Sequence, residues 1–339
     1  MSLWTRLTWI LCLLVMACPA VAQQATLVPA DARFAVVLNP SKVYQSRLGQ
    51  TVLDLVRQEE PNIDAIIDEL NETAGLDLRH SLGQTILFGT SYDKSDFALV
   101  ADIGPTSGNL NGLMLAAPGY ESDVYRDSVI IHSLPDENDP TGRIYCAIPK
   151  RPGTGSFYLV ASFDPDRTRR MVDLTMDANA RLTPDHANGN TLIEAWFNGL
   201  PELAAAAQAD GPPSAVAQLV QSGHFALSEI GDSVQAKVTL TMVDVLRSQQ
   251  VFELLRGGVA MLQLAATAEP QAQPLGELAS LINLEHAPNS TEITASLNSS
   301  YDKLFSLIEQ LKALDQQHAH GHNHEGNGHN ETAPIPTTP

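Results

Sequence analysis

Cysteine is almost missing, with three in 339 residues. Cys12 and Cys18 fall in an apolar N-terminal segment, which leaves Cys146 alone in the body. One thiol closes no internal bridge, so this is not a disulfide scaffold. Basic residues are scarce too: Lys plus Arg is 20 against 39 Asp plus Glu, a formal charge of −19. No Lys/Arg cluster offsets that balance, so nucleic acid is not an expected partner. Aromatic residues are only 6% of the chain, yet 44% is hydrophobic, too much for wholesale disorder. No long apolar run follows the N-terminus, and none is expected to span a bilayer. Signature motifs are lacking as well. No G-x-G-x-x-G opens a helix, no G-x-x-x-x-G-K-[ST] cradles a phosphate, and neither H-E-x-x-H nor G-x-S-x-G occurs.

What is there begins at the ends. Arg6 precedes an apolar run from Trp9 to Ala17, too short for a mature membrane helix. Ala20-Val21-Ala22 then places small residues at −3 and −1 of a cleavage point before Gln23. This pattern predicts a signal peptide over 1–22 and a periplasmic or secreted protein. Its loss removes Arg6 and no acid, taking the charge from −19 to −20. The rival reading is a lipid anchor on Cys18, although Met16 fits poorly in the attachment box Val15-Met16-Ala17-Cys18.

At the other end, residues 315–339 contain no Lys or Arg and few apolar residues, so a disordered tail is expected. It holds His318, His320, His322, His324 and His329, half of the ten histidines. Neutral imidazoles suit Zn(II), Ni(II) and Cu(II), and a flexible strand of alternating His wraps several round one ion. The competing reading is a solubilising terminus with no dedicated ligand. No cofactor is required by anything else in the chain.

Between the ends, strand and helix patterns alternate. Residues 33–39 read as a strand, followed by Asn39-Pro40 as cap and first turn of a helix broken near Gly49. Ile63, Ile66, Ile67 and Leu70 mark a second helix, stopped by Gly75. Residues 84–89 and 97–103 form a hairpin, and 128–134, 142–148 and 156–162 are further strands. Asp164-Pro165 caps a helix. The order then recurs: a strand over 191–197, helices over 200–209 and 214–221, and a hairpin of 224–230 with 233–242 turned at Gly231-Asp232. A long helix over 243–266, a helix over 275–284, a strand over 291–297 and a final helix capped by Ser299 complete it. In 233–242, Val234, Ala236, Val238, Leu240 and Met242 share one face, while Gln235, Lys237, Thr239 and Thr241 share the other. The expected fold class is α+β: two related halves, 23–185 and 186–314, each a mainly antiparallel sheet with helices packed on one face.

Ala74-Gly75-Leu76-Asp77, Thr85–Gly89 and Val100–Gly104, with the layout of Tyr125–Ile131 and Phe157–Leu174, resemble secreted bacterial proteins of the planctomycete type. The resemblance implies an exported, non-catalytic α+β protein. It supplies no active-site residues, and the His tail is no part of it.

Each isolated candidate has a structural reading beside the functional one. Cys146 lies in a strand-like run, where a buried inert thiol is expected rather than a nucleophile. Ser-Tyr-Asp-Lys occurs at 91–94 and 300–303, an S-x-x-K spacing without a K-T-G or S-D-N partner. Asp136 and Asp139 sit in a polar turn whose glycine is misplaced for a calcium loop. His80, His132, His186, His224 and His286 are far apart in sequence. The expectation is a non-enzymatic envelope protein with a binding or structural role and a metal-binding tail. The alternatives are a periplasmic metal scavenger or chaperone, and a hydrolase without a recognisable motif.

Overall fold

In Phe34-Ala35-Val36-Val37-Leu38 every position is apolar, and a strand turns successive side chains to opposite faces. Such a strand needs cover on both sides. In the computed structural model it is β1 (Phe34–Leu38), near the middle of a 12-stranded sheet. The structure describes residues 28–176 apart from 30, 78, 81, 106–109, 127–128 and 137–138, together with 190–199, 216–269 and 272–321.

After β1 come α1 (Pro40–Gln45), α2 (Arg47–Glu59), α3 (Ile63–Ala74), β2 (Thr85–Gly89), β3 (Phe97–Gly104) and α4 (Leu110–Leu115). Then follow β4 (Glu121–Tyr125), β5 (Val129–Asp136), β6 (Asp139–Ala147), β7 (Phe157–Ser162) and α5 (Pro165–Thr175). The second half has β8 (Thr191–Asn198), β9 (Val220–Ile230), β10 (Ser233–Met242), α6 (Val245–Ala268) and α7 (Gln273–Ser280). It closes with β11 (Ile282–His286), β12 (Glu292–Ser300) and α8 (Tyr301–Gly321).

The fold is α+β, and its strands form one antiparallel sheet in the order β11-β12-β10-β9-β8-β1-β2-β3-β7-β6-β5-β4. The two halves are wings of that sheet. In each, the first strand pairs with the first strand of a hairpin: β1 with β2, and β8 with β9. The hairpin's second strand pairs with the last strand before the closing helix, β3 with β7 and β10 with β12. The wings join where β1 runs antiparallel to β8, with Val36 opposite Ala195. An antiparallel pair has a local two-fold axis normal to the sheet, so the repeated connectivity is arranged around this seam.

Alternation along the strands builds two core layers. Ala35, Val37, Ile86, Phe88, Val100 and Val160 meet Met171 of α5 on one face. Phe34, Val36, Phe197, Phe225 and Ile293 meet Val251 of α6 on the other. In the second half α6 packs with α7, and α7 with α8. The polar face expected of β10 is present: Lys237 is exposed, and the Thr239 and Thr294 hydroxyls lie 3.5 Å apart.

Local expectations fared unevenly. Asp164 caps α5 by accepting from the Asp166 N–H at 2.9 Å, and Gly75 ends α3 with φ 67°. Asn39 does not cap α1; its amide donates to the Thr191 carbonyl at 3.3 Å, tying α1 to β8. The helix break falls at Ser46, whose hydroxyl accepts from the Gly49 N–H at 2.9 Å. Gly49 lies inside α2, where a Cβ would collide with the Val43 carbonyl. Ser299 belongs to β12 rather than to a cap, and its buried hydroxyl has no partner among the described residues. The sequence pattern does not mark β4 or β11 as strands. β4 is exposed at nearly every position, and β11 occupies the end of an expected helix. Most of the helices expected over 200–209 and 214–221 lie outside the described residues, and 220–221 already belong to β9.

Candidate interaction surface

A helix with apolar residues on one stripe buries that stripe and leaves the rest to water. α6 departs from this. Asp244 caps it, accepting from the Arg247 N–H at 2.8 Å. Ser248, Val251, Phe252 and Leu255 face the body; Val251 is 2% exposed, and the Phe252 ring stacks on His286 with centroids 5.2 Å apart. The opposite side carries exposed apolar residues too, with Gln250 and Glu253 exposed among them. Leu246, Leu254, Met261 and Leu264 are 62%, 61%, 73% and 69% exposed. From Gly257 to Ala268 there is no charged residue. Contiguous exposed apolar surface marks sites of protein or membrane contact, whereas scattered residues do not.

α6 also corrects the expectation that nothing beyond the N-terminus has the size of a membrane span. Among the described residues, α6 is one helix long and apolar enough by length and composition. Val251, Phe252 and Leu255 hold its first half on the body and α7 lies against Leu262 and Ala266, while most of the helix surface is exposed.

Two kinds of glycine occur here. Gly276 of α7 lies against Ala266 and Leu262 of α6, and a Cβ there would strike the Ala266 methyl. That glycine lets α7 approach α6 closely. Gly257 and Gly258 sit mid-helix, and a Cβ on either would meet nothing within 4 Å among the described residues.

The candidates drawn from sequence are scattered. His318 and His320 lie in the last turns of α8, and His322, His324 and His329 lie outside the described residues. Residues 315–321, expected in a structureless tail, are helical.

Cys146 is 4% exposed, and burial pushes its thiol up to about 11. Its register neighbour on β5 is His132, a base in the position that nucleophilic chemistry would need. Both ring nitrogens of His132 are engaged: Nδ1 lies 3.0 Å from the Tyr120 hydroxyl and Nε2 lies 2.8 Å from Asn111 Oδ1. Asn111 Oδ1 only accepts, so Nε2 carries the proton and Nδ1 accepts from Tyr120. Burial holds His132 below the usual imidazole range. The pair is a neutral structural His beside a protonated thiol.

The other histidines do not converge. His80 bonds Asp77 at 3.0 Å, His224 bonds the buried Glu194 at 2.8 Å, and His286 reaches the Ser290 carbonyl at 3.1 Å. His186 lies outside the described residues. Among the described residues, no three His, Cys, Asp or Glu side chains gather to hold a metal. The Asp136 carboxylate accepts from Lys94 Nζ at 2.6 Å. The backbone N–H and hydroxyl of Thr141 hold Asp139 below the usual carboxylate range. That turn is a hydrogen-bonded and ion-paired one. Of the Ser-Tyr-Asp-Lys copies, the first is a turn capped by Asp93, and in the second Asp302 pairs with Arg47 at 3.0 Å.

No family model matches the chain, and no curated protein matches it. Among solved structures it is similar to TP0453, a Treponema protein. Crystal form III gives 9% identity and a TM-score of 0.46, covering 85% of this chain and 98% of that one. Crystal form I gives 11% identity and a TM-score of 0.43, covering 86% and 99%.

The sequence marks a long helix here but does not show which of its faces is left exposed. The legible signal was an uncharged stretch after Arg256 with two adjacent glycines in its first turn.

Proposed function

We propose that this is an exported, non-enzymatic envelope protein that acts by binding, with the outer face of α6 as its adhesive surface. The observation that supports this reading is the exposed apolar row Leu246, Leu254, Met261 and Leu264 on a helix fixed to the body by its other side. Fully burying a side chain of this size contributes about 1.5–3 kcal/mol. Leaving four of them largely in water forgoes stabilisation that a partner recovers. The site-specific test is a photo-reactive residue at position 261, compared with the same residue at Lys237 on the polar sheet face. In the native envelope, position 261 is expected to give a discrete adduct and position 237 none. Equal labelling at both positions, or none at 261, sinks the reading.

The His tail is a separate capability in this proposal: His318, His320, His322, His324 and His329 bind Zn(II), Ni(II) or Cu(II) without taking part in the adhesive face. Their density in a short segment supports it.

A further inference from the structure

α4 is a helix of six residues, and its inner side carries donor groups as well as apolar ones. Asn111 and Met114 are three positions apart, so they project from the same side. The Asn111 side-chain oxygen accepts from His132 Nε2 at 2.8 Å, and the Met114 thioether accepts from the Cys146 thiol at 3.5 Å. His132 and Cys146 are direct cross-strand partners on β5 and β6, and both are buried. Opposed residues of an antiparallel pair set their Cβ atoms about 4.5–5.5 Å apart on one face of the sheet. A thiol, a thioether and an imidazole are therefore gathered beneath one short helix. We infer that Cys146, Met114 and His132 are the donor set of a site for a soft monovalent metal ion, Cu(I) by chemical class. The inference is independent of the α6 face and of the His tail.

The donors suit such an ion. Thiolate and thioether ligands select Cu(I), and imidazole binds copper as well. His, Cys, Asp and Glu alone make no group of three among the described residues; here a thioether supplies the third donor. The spacing also fits. Two metal–sulfur bonds of about 2.3 Å meeting at about 100–120° hold their sulfurs about 3.5–4.0 Å apart. Cys146 Sγ and Met114 Sδ are at 3.5 Å. His132 is in the tautomer that a ligand needs. Nε2 donates to Asn111, which leaves the Nδ1 lone pair to accept from the Tyr120 hydroxyl at 3.0 Å. A metal-bound imidazole almost always donates its other N–H to a carbonyl, a carboxylate or water, and Asn111 is placed for that. Tyr120 is half-buried, so its hydroxyl can turn to water when an ion takes Nδ1.

Charge decides between metals. Cys146 is the one donor of the three that becomes an anion, and binding expels its proton to solvent. Burial pushes the thiol up to about 11, so at neutral pH it stays protonated until a metal replaces the proton. A monovalent ion on one thiolate is neutral. It leaves no charge beside the apolar cluster of Leu110 and Ile148, against which Met114 packs. Zn(II) on the same donors leaves a unit charge in that surrounding, which is costly without a partner. Access runs over α4. Leu113 and Leu115 are exposed and Met114 is half-buried, so the thioether is the most exposed of the three donors.

The test uses the mature chain, residues 23–339, with His318, His320, His322, His324 and His329 replaced by alanine to silence the tail. The probe is Ag(I), a redox-inert ion with the same charge and donor preference, followed by calorimetry and by thiolate-to-metal absorption in the ultraviolet. One ion per chain is expected, and it should raise the unfolding temperature, because it binds the folded site. Cys146→Ser is expected to abolish binding. Met114→Leu keeps the side-chain volume, so its unfolding temperature without metal stays near the parent's. Met114→Leu and His132→Gln are each expected to weaken binding by about tenfold or more. Cu(I) added without oxygen is expected to give the same order of variants. Binding that survives both Met114→Leu and His132→Gln unchanged overturns the inference, since the thiol then acts alone. An ion that lowers the unfolding temperature also overturns it, because it has taken the thiol of the unfolded chain. So does Zn(II) held more tightly than Ag(I), or no stoichiometric binding at all.

Discussion

His132 shows how one buried polar residue ties pH to stability. It is wholly buried, and its neutral ring accepts from Tyr120 and donates to Asn111. Burial depresses its folded pKa below the unfolded value of about 6.5. The unfolded chain therefore binds the extra proton first. This contribution to stability is complete above about pH 6.5 and declines as pH falls from there toward the folded pKa. Denaturant unfolding at pH 7.5 and pH 5.5 is expected to show the loss, and His132→Gln is expected to flatten the difference. His132→Ala also leaves a cavity and two unpaired partners, and is expected to cost about 2–4 kcal/mol by the same measurement. Cys146 gives a chemical counterpart. With its thiol pushed up to about 11 and 4% exposed, it is expected to resist iodoacetamide at pH 8 in the folded protein and react once unfolded. Rapid labelling of the native chain would contradict the assigned environment.

The helices show why substitution at a glycine has no fixed sign. Gly49→Ala drives a methyl into the Val43 carbonyl and is expected to destabilise by about 1–3 kcal/mol, although alanine is the better helix former. Gly257→Ala meets open space and is expected to stabilise the monomer by about 0.5–1 kcal/mol. Thermal unfolding of the two variants at low protein concentration checks both signs. The same contrast marks what was legible in the sequence. Strong local signals survived: Asp164-Pro165 capped its helix, Gly75 ended one, and the alternation in 233–242 gave the strand's two faces. Signals that depend on distant partners failed. Asn39 had a cap's identity, but Thr191 lies close enough across the seam to take its amide. The break expected near Gly49 falls three residues earlier, at Ser46, whose hydroxyl accepts from the Gly49 N–H. β11 reads as part of a helix in Leu275–Leu284; its strand geometry comes from pairing with β12. The candidate surface was hidden for a related reason. Periodicity shows that α6 has apolar residues, but only the packing of Val251 and Phe252 shows which of them are left over.

For the whole molecule, the seam between β1 and β8 has the greatest influence. α2 reinforces it by joining the halves: the Glu229 carboxylate accepts from the N–H groups of Arg47 and Leu48, and Arg47 reaches Asp232 and Asp302 at 3.0 Å. Heat is expected to unfold the halves together, so calorimetry should give one transition. A chain ending after residue 176 would expose the bare edge of β1, an apolar strand without its neighbour. That fragment is expected to aggregate or pair in light scattering, and the full chain is expected not to. Replacing His318, His320, His322, His324 and His329 by alanine touches none of this. It is expected to remove Zn(II) binding in calorimetry and leave the unfolding temperature within about 2 °C, the scale of a small surface change.

Because β1 and β8 pair directly, the twelve strands share one unbroken hydrogen-bond ladder whose two outer edges, among the described residues, are β11 and β4. An outer edge is where an additional strand would add to the ladder, and β4 guards its end with Glu121 and Asp123, charges that discourage such pairing.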